Sequence, residues 1–340
     1  MISLLPSGPD LSAWDGYLAG TPGSTFCHLV GWREIMTDVM GHECLYAVSK
    51  DESGSWRGVL PMVRVKSPLF GHFLVSMPFL NSGGPVGTPE GRAELTAWAE
   101  GEAKRSRADL LELRSRLPVP GDLRVSHRKI TVHLPLPATS ETLFKSFPSK
   151  LRSQIRRPQK EGLLSRFGAG ERLAFYEVFA RTMRSLGTPV LPSRFFDRIA
   201  TLFADSVEFG VIYRGDEPVA AGCGFVWGGE FELTWAGSLR EHSRVAPNML
   251  LYWAFMERIV ARHVPVFDFG RCTPGGGTHV FKRQWGGFDV DLPWAQWSSG
   301  RATGTPSPDR PVFRLATACW QRLPLAVTNR LGPLISTHLP

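Results

Sequence analysis

Residues 268–287, DFGRCTPGGGTHVFKRQWGG, decide how the rest of the sequence is interpreted. The short apolar run at 264–269 predicts a buried strand that ends at Arg271. The three glycines at 275–277 allow a tight turn or a close approach of the backbone to a ligand. An arginine at a strand end and Lys282 across a glycine loop would suit an anionic or carbonyl-bearing substrate. A strand followed by a plain basic surface turn is the alternative.

The same segment carries a family resemblance. DFGR at 268–271, followed by FKRQWG at 281–286, resembles the end of the second domain of the Fem-like acyltransferases. These non-ribosomal peptidyltransferases are built from two fused GNAT-like domains. LRSQIRR at 151–157, RTMRSLGTP at 181–189 and APNML at 246–250 agree with the family in the same order along the chain.

The resemblance is closest to the FemAB-related branch that is associated with exosortase/PEP-CTERM exopolysaccharide loci, which shares GVLP at 58–61 and NRLGP at 329–333. It implies an N-acyl or aminoacyl transferase acting on an amine of a cell-envelope or exopolysaccharide precursor. It also implies an activated donor as co-substrate, aminoacyl-tRNA or acyl-CoA, and no permanently bound cofactor.

Composition agrees with a globular protein of two domains. The chain has 340 residues, of which 43% are hydrophobic and 21% charged, enough for two cores. No apolar run approaches the roughly 20 residues that span a bilayer, and the N-terminus lacks the features of a signal peptide. The five cysteines show no CxxC spacing, which argues against zinc and against a disulfide framework. These features predict a cytoplasmic protein, with peripheral contact at the inner membrane face as an addition.

Basic residues crowd one segment. The net charge is +8, and residues 145–166 contain seven cations, Lys145, Lys150, Arg152, Arg156, Arg157, Lys160 and Arg166. Such a cluster favours a polyanionic partner such as tRNA. A solvated helix face, or arginines that fasten two domains together, is the structural alternative.

The predicted secondary structure repeats one order: helix, hairpin, third strand, helix, strand. The first copy has helices within 11–40, strands at 45–49, 56–65 and 73–79, a helix at 89–106 and a strand at 110–113. The second has helices at 172–186 and 193–203, strands at 207–213, 218–227 and 231–236, a helix at 247–261 and the strand at 264–269. This order predicts an α/β (α+β) fold of two tandem GNAT-like domains, each a twisted mixed sheet flanked by helices.

Breaks in the pattern place the domain limits. Prolines near 134–140 separate residues 1–138 from residues 139–297, and a Gly/Ser/Thr/Pro-rich stretch begins the segment 298–340. That last segment is predicted to be a linker and a helical tail, with a helix at 312–323. We expect the tail to dock on the body of the protein, and contact with a membrane surface is the alternative.

The resemblance implies roles for individual residues. Lys282 matches the lysine of the family's Phe-Lys motif and is the catalytic candidate, binding the donor's phosphate or the oxyanion. The substrate-binding candidates are Arg271, Arg181, Asp268 and Trp235, together with Arg152, Arg156 and Arg157 for a tRNA acceptor stem or another polyanion. No metal site is predicted.

The sequence departs from two known patterns, and both departures concern the choice of substrate. The loop at 237–248 lacks the glycine-rich pyrophosphate turn of acetyl-CoA-dependent GNAT enzymes, which counts against acetyl-CoA. Trp32 is followed by Met36 where the peptidoglycan branch has a lysine, which counts against a UDP-linked muropeptide acceptor. Two alternatives stay open: acetyl-CoA-dependent N-acetylation of an amino sugar, and a non-catalytic polyanion-binding module.

Overall fold

The computed structural model describes residues 1–5, 12–68, 70–300 and 311–339. These residues divide into two compact units. Unit 1 comprises Met1–Lys129, Asp291–Arg310 and Ile335–Pro340, and unit 2 comprises Ile130–Val290 and Pro311–Leu334, as far as these ranges are described. The predicted limits at 138 and 297 differ by nine and seven residues from the ends of the units at Lys129 and Val290. The strand at Ile130–Pro135 belongs to unit 2 and the strand at Trp294–Ser298 to unit 1.

The described strands are, in chain order, β1 (Ile2–Leu4), β2 (Glu43–Lys50), β3 (Trp56–Ser67), β4 (Gly71–Val75), β5 (Val86–Gly87), β6 (Leu110–Leu113), β7 (Arg124–Ser126), β8 (Ile130–Pro135), β9 (Leu163–Phe167), β10 (Val207–Arg214), β11 (Glu217–Trp227), β12 (Glu230–Ser238), β13 (Val266–Asp268), β14 (Phe288–Asp291) and β15 (Trp294–Ser298). The described α-helices are α1 (Ser12–Ala19), α2 (Gly31–Glu34), α3 (Pro89–Arg105), α4 (Ser140–Ser146), α5 (Ser149–Lys160), α6 (Arg172–Leu186), α7 (Ser193–Leu202), α8 (Pro247–Ala261), α9 (Gly277–Arg283), α10 (Pro311–Arg322) and α11 (Leu325–Ser336).

Unit 1 is a mixed sheet in the order β1-β2-β3-β4-β6-β15-β7, with β5 on β3. Helix α3 covers one face and begins where Thr88 caps it, its hydroxyl accepting the Gly91 N–H at 3.1 Å ahead of Pro89 in the first turn. Small side chains such as Ala99 let α3 lie close to the strands. A second core forms around Trp14, whose ring lies 4.8 Å from that of Tyr46.

Unit 2 is a mixed sheet in the order β14-β8-β13-β12-β11-β10-β9. Helix α8 packs on one face, where Phe255 lies against Phe231 and Phe167. Helices α6 and α7 pack on the other, with Phe175 and Phe196 in an edge-to-face contact at 5.0 Å. The predicted class, two mixed sheets flanked by helices, is confirmed.

Helix α10 and residues 325–334 of α11 belong to unit 2. The predicted helix at 312–323 corresponds to α10, and the structure adds α11. On α10, the Gln321 side chain donates to the Ser185 carbonyl at 3.1 Å. Thr317 lies so close to Gly187 that a β-carbon there would meet it at 2.2 Å. A glycine is needed at that position for two reasons, the contact and its φ of +73°.

His28 is sealed in unit 1 and neutral. Its Nδ1 accepts the Thr25 N–H at 3.0 Å, which leaves the proton on Nε2 for the Gly84 carbonyl at 2.9 Å. Burial is the main cause that lowers the pKa of His28 from 6.5 to about 4, because the charged form would lose its hydration.

We expect acid to destabilise the protein through His28. The unfolded chain binds the His28 proton below pH 6.5 and the folded chain only near pH 4, so the stability present above pH 6.5 is lost as the pH falls through this window. Between pH 7 and pH 5 this loss is about 2 kcal/mol. Urea unfolding at both pH values measures it. His28→Gln should flatten the difference and His127→Gln, at an exposed position, should not. Equal pH dependence in both variants would contradict the assignment.

Candidate active site

A cleft opens in unit 2 where two parallel strands separate. β12 and β13 pair over only three registers, the last being Glu232 with Asp268. β13 ends there, whereas β12 continues to Ser238. The cleft beside the continuing strand measures about 310 Å³ and is lined by Ala236, Gly237 and Ser238 of β12, Asn248, Leu251 and Tyr252 of α8, and Gly277, Thr278 and Phe281 of α9.

Tyr252 is the polar group that the sequence analysis missed. Its ring stacks on Phe269 at 5.7 Å and meets the edge of Phe281 at 4.9 Å. Although the residue is only 8% exposed, its hydroxyl is not among the sealed polar atoms without a partner, and no described residue hydrogen-bonds to it. The hydroxyl therefore opens into the cleft that Tyr252 lines. Burial raises the pKa of Tyr252, so the hydroxyl keeps its proton at neutral pH.

Lys282 is buried, and the expectation of an exposed lysine on a glycine loop is wrong. The glycines at 275–277 lead into helix α9, which turns Lys282 inward until only 3% of it is exposed. Its Nζ donates to the carbonyls of Gly270 at 2.5 Å and Arg271 at 3.1 Å. Burial lowers the pKa of Lys282, and the nearby Cys272, Asp268 and Glu232 oppose that shift. Its predicted part in binding donor or oxyanion stays a prediction.

Asp268 fixes the turn that Lys282 holds. It has no exposed surface and accepts hydrogen bonds from the Thr131 hydroxyl, from the Gly270 N–H at 2.7 Å and from His133 Nε2 at 3.2 Å. Gly270 has a φ of +72°, and a β-carbon there would meet the Leu233 carbonyl at 2.6 Å. Asp268 therefore contacts the backbone of this turn and has no surface of its own in the cleft, and its predicted part in substrate binding stays a prediction.

The ligand atoms of one histidine and two carboxylates lie close enough together to be considered as a metal site. Ligand atoms of His133, Glu230 and Asp268 lie within 4.8 Å of one another. The Asp268 oxygens already accept hydrogen bonds, and His133 Nε2 carries the proton that it donates. A metal would need that nitrogen's lone pair, so the group fits a hydrogen-bond network better than a metal centre.

The other candidates lie apart from the cleft lining. Arg271 contributes its carbonyl to Lys282. Trp235 points to the opposite face, where its ring contacts Phe196 at 5.3 Å and Phe225 at 6.2 Å. Three carboxylates surround Arg181 and offset its charge: Glu241 at 2.6 Å, Glu177 at 3.6 Å and Glu217 at 3.7 Å.

The basic helix α5 borders a second concavity. A groove of about 560 Å³ is lined by Ser140, Glu141, Phe144, Lys145, Arg152, Arg156, Gln159, Trp253 and Glu257. The Arg156 guanidinium stacks 5.0 Å from the Phe144 ring centre, and Arg152 donates to the Lys145 carbonyl at 3.3 Å. Among the residues that the structure describes, neither arginine nor Arg157 has a carboxylate partner. Arg157 is exposed outside the groove lining.

The start of α8 is a poor cradle for a diphosphate. A 3₁₀ turn at Arg240–Val245 leads to Ala246, which has a φ of +52°, and then to Pro247. Pro247 has no N–H, and the Met249 N–H is used by the Ala246 carbonyl at 3.0 Å. These features leave few free backbone donors at this helix N-terminus.

Comparison with known families agrees with this geometry. Residues 145–283 match the family model described as "Acetyltransferase (GNAT) domain". Residues 145–283 of unit 2 are therefore similar to a GNAT-type domain. The match covers most of unit 2 and includes every strand and helix that lines the cleft. No curated protein matches the sequence.

Solved structures resemble the chain over nearly its whole length. The crystal structure of FemX aligns with a TM-score of 0.64 at 13% identity, covering 93% of this chain and 100% of that one. L-PGS from Bacillus licheniformis gives 0.56 at 12%, covering 94% and 100%. A tandem GNAT protein from the clavulanic acid biosynthesis pathway gives 0.52 at 12%, covering 90% and 99%. At these identities the likeness establishes the fold alone, and it confirms the predicted tandem GNAT-like architecture.

We expect Lys282→Ala to destabilise the protein by about 1–3 kcal/mol, because the buried Gly270 carbonyl and the partly buried Arg271 carbonyl lose their donor. Urea unfolding measures the loss. Lys104→Ala, on the exposed surface of α3, is the matched control and should change the free energy of unfolding by less than about 0.5 kcal/mol. If Lys282→Ala is as stable as that control, the two carbonyls do not depend on the ammonium.

Proposed function

We propose that unit 2 transfers an acyl group from an activated donor to an amine. The observation that carries this proposal is the cleft at the end of the β12–β13 pairing. Beyond Glu232 and Asp268, no described strand pairs with β12 on the side of β13. Backbone N–H groups in the second half of β12 that point to this side therefore face the cleft. Fixed N–H groups of this kind stabilise the oxyanion that forms when an amine attacks an acyl carbonyl.

The proposed reaction needs little from charged side chains. The amine nitrogen bonds to the acyl carbon, the bond to the donor's oxygen or sulfur breaks, and the proton lost by the nitrogen balances the one that the leaving group takes up. Tyr252 is the polar side chain we assign to this step, donating a hydrogen bond from its protonated hydroxyl to the acyl carbonyl or the leaving group. Lys282 acts as a positioning residue, because it holds the Gly270–Arg271 backbone beside the cleft.

Within acyl transfer, we favour an aminoacyl donor and an acceptor from a cell-envelope or exopolysaccharide precursor. The Fem-like sequence resemblance supports this choice, and so does the poor diphosphate cradle at the start of α8. The groove along α5 offers Arg152 and Arg156 to the phosphates of a tRNA. The matching family model favours the alternative, an acetyl-CoA-dependent N-acetyltransferase.

Filling the cleft tests acyl transfer itself. Thr278 lines the cleft and is exposed, so Thr278→Trp should obstruct it without disturbing the core. We expect transfer to an amine to fall at least about a hundredfold, the scale of a lost catalytic arrangement. Transfer of labelled amino acid from bulk aminoacyl-tRNA, and of acetyl from acetyl-CoA, is followed side by side with envelope-precursor amines as acceptors.

The control for this test is Thr201→Trp, at an exposed position on α7. It should keep full activity. Equal activity of both variants would place the reaction elsewhere, and no transfer by the unmodified protein with either donor would favour the non-catalytic binding module.

The salt dependence of tRNA binding tests the aminoacyl donor. Replacing Arg152, Arg156 and Arg157 by Gln should weaken tRNA binding. The logarithm of the binding constant should also fall less steeply with the logarithm of the salt concentration, by roughly one unit of slope per lost phosphate contact. Fluorescence anisotropy with bulk tRNA measures both. The control replaces Arg128, Arg194 and Arg214, three exposed arginines outside the groove. Unchanged tRNA binding in the first variant, together with micromolar acetyl-CoA binding by titration calorimetry, would shift the assignment to the acetyl-CoA alternative.

A further inference from the structure

Helix α11 directs its aliphatic side chains to solvent, unlike a helix that packs in a globular core. Its side chains at Val327, Leu331 and Leu334 are 37%, 41% and 64% exposed. On a helix these positions, i, i+4 and i+7, form one stripe. On the other side, Thr328 is 2% exposed and Gly332 packs against Val190. Polar and small residues thus face the protein and aliphatic residues face outward.

Helix α10 also has exposed apolar side chains. Leu315 is 69% exposed, and Cys319, one turn further along the helix, is also exposed. Leu186, at the end of α6 where α10 packs, is 53% exposed. We define these five aliphatic residues, Leu186, Leu315, Val327, Leu331 and Leu334, as the tail surface.

The charged residues of the C-terminal helices favour one kind of partner for the tail surface. Residues 311–340 contain three arginines and no aspartate or glutamate. Arg322 and Arg330 are exposed on the same helices as the outward leucines. Aliphatic side chains flanked by arginines only, without acidic residues, are complementary to a lipid surface with anionic headgroups. No helix of the described chain is long and apolar enough to cross a bilayer, and a helix that lies in the headgroup region does not need to be.

We propose that the tail surface docks on an anionic lipid bilayer, with Val327, Leu331 and Leu334 inserted among the headgroups and Arg322 and Arg330 paired with lipid phosphates. This inference stands apart from the proposed acyl transfer, since it rests on different residues and needs no turnover. It would bring the chain to the surface where lipid-linked precursors are found.

Sedimentation with vesicles tests the proposal directly. The full chain is mixed with vesicles of pure phosphatidylcholine, or of phosphatidylcholine and phosphatidylglycerol in equal amounts. We expect it to sediment with the second kind and to remain in solution with the first. Leu331→Gln with Leu334→Gln should lower the partition coefficient roughly tenfold or more, because two partly inserted leucines are removed. Arg322→Gln with Arg330→Gln should lower it about fivefold for each arginine, on the anionic vesicles only.

The matched control replaces two leucines that are just as exposed but lie elsewhere on unit 2. Leu164 is 62% and Leu173 67% exposed, and neither belongs to the tail surface. Leu164→Gln with Leu173→Gln should bind like the unmodified chain, and thermal unfolding should show that both double variants stay folded, since all four positions are exposed.

Three results would overturn the proposal. The unmodified chain could fail to sediment with anionic vesicles. Both leucine variants could bind equally. Light scattering could show a dimer in solution that Leu331→Gln with Leu334→Gln dissociates, in which case a second copy of the chain covers the tail surface. None of these results depends on catalysis, so each can be told apart from a failure of the acyl-transfer assignment.

Discussion

The end of parallel pairing between β12 and β13 is the constraint on which the candidate site depends. A third of β12 is held by β13, and the remainder is free to form one wall of a cleft. The buried groups around Asp268 hold the chain at this point: its carboxylate binds the following turn, and Lys282 binds the same turn from the other side. Buried charges are costly unless they are paired and hydrogen-bonded. Here that requirement fixes where the two strands separate.

Helix α8 connects the cleft with the basic groove. Tyr252 lines the first and Trp253, the next residue, lines the second. Between them runs a series of aromatic contacts: Trp253 meets Phe147 at 6.0 Å, and Phe147 meets Trp285 at 5.6 Å. Interlocked aromatic rings leave little freedom for one wall to move without the other. A ligand in the groove and a ligand in the cleft would therefore both contact helix α8, through neighbouring residues.

The sequence was sufficient for the fold because its patterns are repeated and local. The turn at Gly215–Asp216 marked the hairpin of β10 and β11, and a proline followed by an apolar run marked α8. The site was harder to predict. Lys282 follows three glycines, and only the structure shows that they lead into a helix that turns the lysine inward.

Tyr252 was missed for a different reason. It lies in a helix with eleven buried residues, and in such a run nothing in the sequence separates a tyrosine that packs from one whose hydroxyl reaches a cavity. The exposure of the leucines of α11 could not be predicted from the sequence either. The side of a short helix that faces the protein depends on the elements against which the helix packs. Trp235, a candidate implied by the resemblance, contacts Phe196 on the other face of the sheet.

A single extra residue explains the position of Trp235. Cys223 pairs with Trp235 and Gly224 with Leu233, so Thr234 is inserted as a bulge. Phe231 and Leu233 face α8 before the bulge and Ala236 does so after it, while Trp235 joins the aromatic residues near α7. A one-residue deletion here would exchange the side chains on the two faces of the strand without altering its length much. In the evolution of such folds, an insertion or deletion at this point would therefore change which residues meet the substrate, even if every neighbouring residue stayed the same.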